Sequence, residues 1–560
     1  MRSLSLIGAY WGVSLAVAGL FSALYGFALL NPKQISWILG NDPAQAFFGL
    51  NFFLQETFHW PLGVVQTFNS PMGTSLVYTD SIPILGIVLK ALALIFPIET
   101  PFQISGMWIF LCLLLQGVFG LRLFLKEGFT PLSSLIASLF LLASPALHFR
   151  SIETTQHYTL MGHFIVLAGI SLLMDWMIRK RYSRLAWWAL LAVSLGIHFY
   201  LFAMVALMYA VPLLERPREL LKELLLLPLL GVLAYAFGYF VISAKESSGM
   251  GFGHFSMDLI SFLNPEGLSA TRVFEFMRER KTREGFNYLG LGMIAWIVAG
   301  LLASSKNWKP KMKTWIKTYP IRAFTLAFWI LLALSSRIGI FGYRLPLFVN
   351  VFVELGVFFT LARIAWPDSK RLHRIALVVG VVAVFHVAGP VLRSTGRFGW
   401  ALGYGLFLFA MIRLRNVLHR RGAFVFTGAL TLALAIQTWD LAPLLQHVQT
   451  KLPKPQPTLE GLPQDLRLDA VLPKNLSRIT LVGSEFFSPP ELLYWALRHR
   501  IPIGPVYLAR FDPQKRQSFI EDKMNRFKSG LMPAQEAMVF EQHQVATISR
   551  YEIVVKHPQP

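Results

Sequence analysis

The chain has 560 residues, of which 54% are apolar and only 15% charged, and its mean hydropathy is +0.52. Soluble domains carry about 25% charged residues, so this composition excludes both a disordered chain and a string of ordinary soluble domains. The single cysteine, Cys112, excludes a disulfide framework, and the net charge of +22 lies in Lys/Arg clusters between apolar blocks, the pattern of membrane topology rather than of nucleic-acid binding.

A spanning helix needs about 20 mostly apolar residues. Residues 6–30 form the first such block and read as an uncleaved span, because no small-residue cleavage site follows. Further blocks lie near 103–121, 131–147, 159–178, 186–213, 223–243, 288–304, 321–337, 347–366, 375–392, 399–412 and 422–440. Lys and Arg concentrate on the cytoplasmic side of membrane proteins. With the N-terminus inside, Arg122 and Lys126, the 179–184 cluster, Arg216 to Lys222, Lys306 to Lys317, Lys370 to Arg374 and Arg413 to Arg421 all fall inside. That fit requires 186–213 to cross twice, breaking near His198-Phe199-Tyr200. Residues 82–97 are short for a span and interrupted by Lys90, and are predicted to lie as a helix on the outer face.

The predicted fold is mainly α: a polytopic bundle of about thirteen spans over residues 1–440, with the C-terminus outside. The outer loops are 31–102, 148–158, 244–287, 338–346 and 393–398. A Pro-rich linker at 441–457 leads to a small extracytoplasmic α/β domain at 458–560. In that domain the runs 478–482 and 551–555 read as strands, and 489–498 and 513–529 as helices.

Polar residues gathered at span mouths need a reason, because lipid makes them costly. Asp42, in Asn41-Asp42-Pro43, suits a general base facing a membrane-embedded cavity, and equally an N-cap before a first-turn proline. Asp80, in Asp80-Ser81-Ile82-Pro83, is a substrate-binding candidate with the same capping alternative. Glu153 and His157 are four apart, on one helix face; with a first-loop carboxylate they could hold Mg²⁺ or Mn²⁺, the alternative being an interfacial polar cluster. Arg150 precedes them. Arg393 and Arg397, beside Trp400 and Tyr404, match a lipid phosphate with its sugar against an aromatic wall, or else interfacial anchoring; Arg344 lies on another outer loop. Gly249, Gly251 and Gly253 suit a mobile substrate lid, or simple turns.

This arrangement resembles the GT-C glycosyltransferases over residues 1–440, and more closely an uncharacterised bacterial multi-pass family of GT-C type. The resemblance rests on Gly40-Asn41-Asp42-Pro43-Ala44-Gln45, Thr79-Asp80-Ser81-Ile82-Pro83, Gly251-Phe252-Gly253-His254-Phe255, Asn287-Tyr288-Leu289-Gly290-Leu291-Gly292 and Arg393-Ser394-Thr395-Gly396-Arg397, in that order. It implies that Asp42 is a base or a metal ligand with Glu153, and that the outer arginines hold a carrier phosphate. The implied reaction takes a sugar from a polyprenyl-phosphate donor to a glycan, lipid or protein acceptor, in one inverting displacement at the outer face of a bacterial inner membrane. Arg393, Arg397, and Arg344 or Arg150 would stabilise the departing phosphate. Two rivals stand beside it: a flippase or transporter of lipid-linked sugars, which would share the arginines, and an inactive relative whose C-terminal domain binds a partner.

Overall fold

The structure is a computed structural model that describes residues 2–39, 41–152, 157–242, 255–271, 273, 283–304, 308–335, 338–340, 343–388, 392–418, 422–451, 466–472, 475–484, 488–508, 510–531, 535–545 and 548–555. Most of it is helix. Among the described residues seven helices are long and apolar enough to cross a membrane: Ser5–Leu24, Ser105–Lys126, Tyr158–Arg179, Pro217–Phe237, Leu347–Ala365, Thr395–Leu418 and Ala423–Asp440. Two bent pairs, Pro131–Leu142 with Pro145–Ser151 and Pro310–Thr318 with Pro320–Leu334, bring the number to nine if each is one span. Shorter apolar helices stand beside them at Pro83–Leu92, Arg184–Ile197, Phe199–Leu214 and Leu291–Leu302. Length and composition thus support seven to nine spans; the count of thirteen requires shorter helices to cross as well.

The break expected near His198 is present. Ser183 caps Arg184–Ile197 by accepting from the Ala186 amide, and His198 is extended at φ −162°, ψ 136°. Its ring accepts from the Tyr200 amide and so caps Phe199–Leu214 in turn. The Trp187 ring lies 5.5 Å from that of Tyr209, so the second helix runs back along the first.

The bundle has two unlike ends. One gathers the basic clusters and satisfies them with carboxylates. Arg179 Nη2 is 2.8 Å from Glu127 Oε1, Arg184 Nε 2.9 Å from Glu223 Oε1, and Arg322 Nε 2.7 Å from Glu215 Oε1. The other end collects the long connections. There Pro83–Leu92 is a separate short helix, as expected, with Leu94, Ile95 and Phe96 exposed just beyond it. Lys90, which argued against a span, folds inward: its Nζ donates to the Phe53 carbonyl at 2.7 Å and lies 3.9 Å over the Phe53 ring.

Residues 478–555 form a four-stranded sheet, ordered Ile503–Gly504, Arg478–Val482, Glu536–Val545, Ile548–Val555. The first three strands are parallel and the last is antiparallel. Helix Pro490–His499 connects the central strand to the edge strand, burying Leu492, Leu493, Ala496 and Leu497, and Pro513–Lys528 leads back into the sheet. The Pro-rich stretch 452–457 lies outside the described residues.

Asp440, buried at the end of Ala423–Asp440, ties this end together. Its Oδ2 accepts from the Tyr288 hydroxyl and the Leu291 amide, each at 2.8 Å, and its Oδ1 from the Ser269 hydroxyl. One turn back, Gln437 accepts from the Met293 amide at 3.0 Å and donates to the Leu289 carbonyl at 2.8 Å. These bonds fix residues 288–293, which follow directly on the site segment 284–287. Asp440→Ala would strand a buried hydroxyl and a helix-start amide, costing about 2 kcal/mol. The expected result is a lower thermal unfolding midpoint in nanodiscs, largely restored in Asp440→Asn; an unchanged midpoint in Asp440→Ala would contradict this role.

Candidate functional site

Four stretches of chain far apart in sequence bring an ionic cluster together. Helix Asn41–Gln55 packs closely on the turn before Pro83–Leu92: the Ser81 hydroxyl donates to the Ala46 carbonyl at 2.8 Å, and a Cβ on Gly49 would meet the Thr79 side chain at 2.5 Å. That approach sets Asp42, in the first turn of its helix, beside Asp80, held at φ 55° in the left-handed region. His157 enters from the third stretch. The indole of Trp108 anchors it by donating to the adjacent Tyr158 carbonyl at 2.9 Å. The fourth stretch is the turn Arg283–Gly285, locked by Asn287 Nδ2 donating to the Gly285 and Gly396 carbonyls at 2.8 and 3.0 Å.

His157 is the hub. Its Nε2 lies 3.4 Å from Asp42 Oδ2 and 3.5 Å from Glu284 Oε1, and its Nδ1 lies 3.4 Å from Asp80 Oδ2. His198 adds a second ring, its Nε2 3.6 Å from Asp80 Oδ1. Two arginines close on Glu284. Arg150 Nη1 donates to Oε2 at 2.8 Å and Nη2 to the Glu284 carbonyl at 2.9 Å. Arg397 donates to the same Oε2 from Nη2 at 2.7 Å and from Nε at 3.1 Å. Phe149, next to Arg150, stacks on Phe286 with ring centroids 4.2 Å apart, so an apolar stack runs beside the ion pair.

Burial alone would pull the His157 imidazole down, but its hydrogen bonds to Asp80 and Glu284 carry it up to about 9. Burial would likewise raise Glu284 and Asp80. The arginines hold Glu284 well below the usual carboxylate range, and the two histidines do the same for Asp80. Asp42 differs: burial raises its carboxyl, and the pull of His157 offsets this only in part.

The sequence candidates divide as follows. Asp42, Asp80, Arg150, His157 and Arg397 meet in this cluster. The N-cap position of Pro83–Leu92 is Ile82, not Asp80; Asp42 lies in the first turn of Asn41–Gln55 and accepts at Oδ1 from the Tyr507 hydroxyl at 3.0 Å. Arg393 is half-buried, 5.3 Å from the Phe255 ring. Arg344 lies in the hairpin Gly339–Ile340/Tyr343–Arg344 and bonds the Ser256 hydroxyl. Trp400 and Tyr404 are not an open aromatic wall. Both are buried on His163, Trp400 stacked at 4.4 Å and Tyr404 bonded through its hydroxyl at 2.7 Å, and Trp400 meets the cluster only at its edge, where the Arg150 guanidinium lies 5.4 Å over its ring. Glu153 and the glycines 249, 251 and 253 lie outside the described residues.

Among the described residues no group of three or more His, Cys, Asp or Glu side chains is placed to hold a metal ion. The carboxylates here surround His157, and Glu284 is taken by two guanidiniums. Glu153, the other candidate ligand, lies outside the described residues.

Glu284, His198 and Tyr507 were not singled out from the sequence. Glu284 ends the charged run Arg278 to Arg283, which resembles a solvated loop; the signal available was the aromatic pair Phe286 and Tyr288 just beyond Gly285.

The fold and the cluster define a helical membrane protein with a buried ionic site at one end of its bundle. Residues 14–383 match the family DUF6311, described as a domain of unknown function, and the chain belongs to that family. No curated protein matches the chain.

A group whose folded pKa is raised stabilises the fold below its unfolded pKa, about 6.5 for His, and loses that contribution as pH rises through the folded value. His157 therefore stabilises the site up to neutral pH and stops doing so through about 9. The unfolding midpoint should fall between pH 7 and 10 in the wild type, and His157→Gln should start lower and flatten that fall; a variant as steep as the wild type would contradict it.

Proposed function

We propose that this protein is an integral-membrane glycosyltransferase that moves a sugar from a polyprenyl-phosphate donor to a hydroxyl of a cell-envelope acceptor. The reading includes thirteen crossings, a cytoplasmic N-terminus, and the ionic cluster and C-terminal sheet on the outer face of a bacterial inner membrane.

The observation that carries it is Asp42. It is the one of the three carboxylates Asp42, Asp80 and Glu284 that its neighbours do not hold low, it is buried, and its raised pKa moves it toward the range in which a general base works at neutral pH. In the proposed step Asp42 takes the acceptor proton, the acceptor oxygen attacks the anomeric carbon, and the carrier phosphate leaves with the bonding pair. Arg150 and Arg397 keep Glu284 in place, so the charge growing on the phosphate falls to Arg393 and to protonated His157. Asp80 and His198 hold the second side of the His157 ring.

One observation favours the transport reading. Glu354 on Leu347–Ala365 is buried within a candidate span, its Oε2 2.8 Å from His386 Nε2 on Arg371–Ala388. Ionisable groups inside a membrane mark ion and substrate paths.

The test uses purified protein in nanodiscs with a panel of polyprenyl-phosphate sugars, following release of carrier phosphate. The wild type should release it, and Asp42→Asn should lower the rate by about 10²-fold or more. Equal rates would remove Asp42 as the base. Flux of lipid-linked sugar across vesicles that Glu354→Gln abolishes and Asp42→Asn leaves intact would establish the transporter instead.

A further inference from the structure

We propose that Tyr507 is a positioning residue for Asp42, and that the C-terminal sheet carries it into the site as a fixed part of that site. The catalytic half of this inference rests on the reading of Asp42 as a base; the structural half does not.

The 503–508 segment is joined to the first long connection by its main chain. The Ile503 amide donates to the Thr67 carbonyl and the Ser70 amide to the Ile503 carbonyl, both at 3.0 Å, and Ile503 pairs in parallel with Phe68. The contact leaves no room at Gly504, where a Cβ would lie 2.6 Å from the Ser70 carbonyl oxygen. Asn69 completes the join: Oδ1 accepts from the Val506 amide at 3.2 Å while Nδ2 donates to the Gly73 carbonyl at 2.8 Å. From the sheet side, Arg516 Nη1 donates to the Val506 carbonyl at 3.0 Å and Ser488 Oγ accepts from the Tyr507 amide at 2.6 Å.

Val506 and Leu508 are buried, so the alternation of extended chain turns Tyr507 the other way, toward Asp42. With both neighbours buried and both flanking backbone groups bonded, the ring has little freedom. This is the geometry of a fixed support rather than of a lid. The hydroxyl bonds Asp42 Oδ1 at 3.0 Å, while Oδ2 faces His157 at 3.4 Å. The two oxygens thus have separate partners, and the carboxyl plane is set from two sides. A donor to the ionised form also favours that form, against the burial that disfavours it. Tyr507 lies beyond the stretch 14–383 that matches the family, so the site depends on a segment outside that match.

The test compares full-length wild type with Tyr507→Phe, in nanodiscs, with Tyr494→Phe as a control on the same sheet unit. Carbodiimide-driven amine labelling of Asp42, read by mass spectrometry against pH, follows protonation of the carboxyl without needing turnover. Tyr507→Phe should move the midpoint of Asp42 labelling up by about one pH unit, and Tyr494→Phe should leave it in place. In sugar transfer, Tyr507→Phe should lower kcat about 10-fold, shift the acid limb of the pH profile upward, and leave the donor KM within about 2-fold. An unmoved labelling midpoint in a folded Tyr507→Phe protein overturns the proposal. A wild type that transfers no sugar overturns the transferase reading alone, and the labelling then still decides the place of Tyr507.

Discussion

Glu284 is held by Arg150 and Arg397 and faced by His157, and on that ionic knot the rest of the site depends. The four residues come from three connections that no local propensity would bring together. Taking charges out of water is costly, and mutual attraction offsets the cost only when each charge is matched and bonded. Here three carboxylates, Asp42, Asp80 and Glu284, meet three cations, Arg150, Arg397 and protonated His157. Removing one partner would leave an unmatched charge in a buried place, which is why the knot fixes the approach of these connections.

Once Glu284 has both arginines, the remaining carboxylates differ in what they can do. Asp80 has two histidines and stays ionised. Asp42 has a histidine at one oxygen and a neutral phenol at the other, and burial moves it toward the neutral form. One cluster therefore supplies a fixed anion, a persistent cation and a carboxyl closer to neutrality, the division of labour that proton transfer beside a phosphate group requires.

Much of this was legible in the sequence, for a reason particular to membrane proteins. Apolar blocks of span length mark helices whatever they pack against, and Lys/Arg runs mark one end of them. The break at His198 followed from the charge pattern together with the length of its block, and the C-terminal runs fall on the strand Arg478–Val482 and the helices Pro490–His499 and Pro513–Lys528. Asp42, Asp80, Arg150, His157 and Arg397 stood out because each sits at a span mouth. Partnerships were not legible. Glu284 lies 134 residues from Arg150 and 113 from Arg397, and Tyr507 lies 465 from Asp42. Trp400 and Tyr404 show the opposite limit: residues four apart share a helix face, but the spacing does not say which way the face points, and here it points inward.

His157 should remain a cation at a pH where an ordinary histidine is neutral. Solid-state NMR of protein labelled with ¹⁵N at histidine, in lipid bilayers, reads the two ring nitrogens directly, with His157→Gln assigning the signal. At pH 8 His157 should show two protonated nitrogens, giving way to a neutral ring only near pH 9 and above. A neutral His157 ring at pH 8 would overturn this reading.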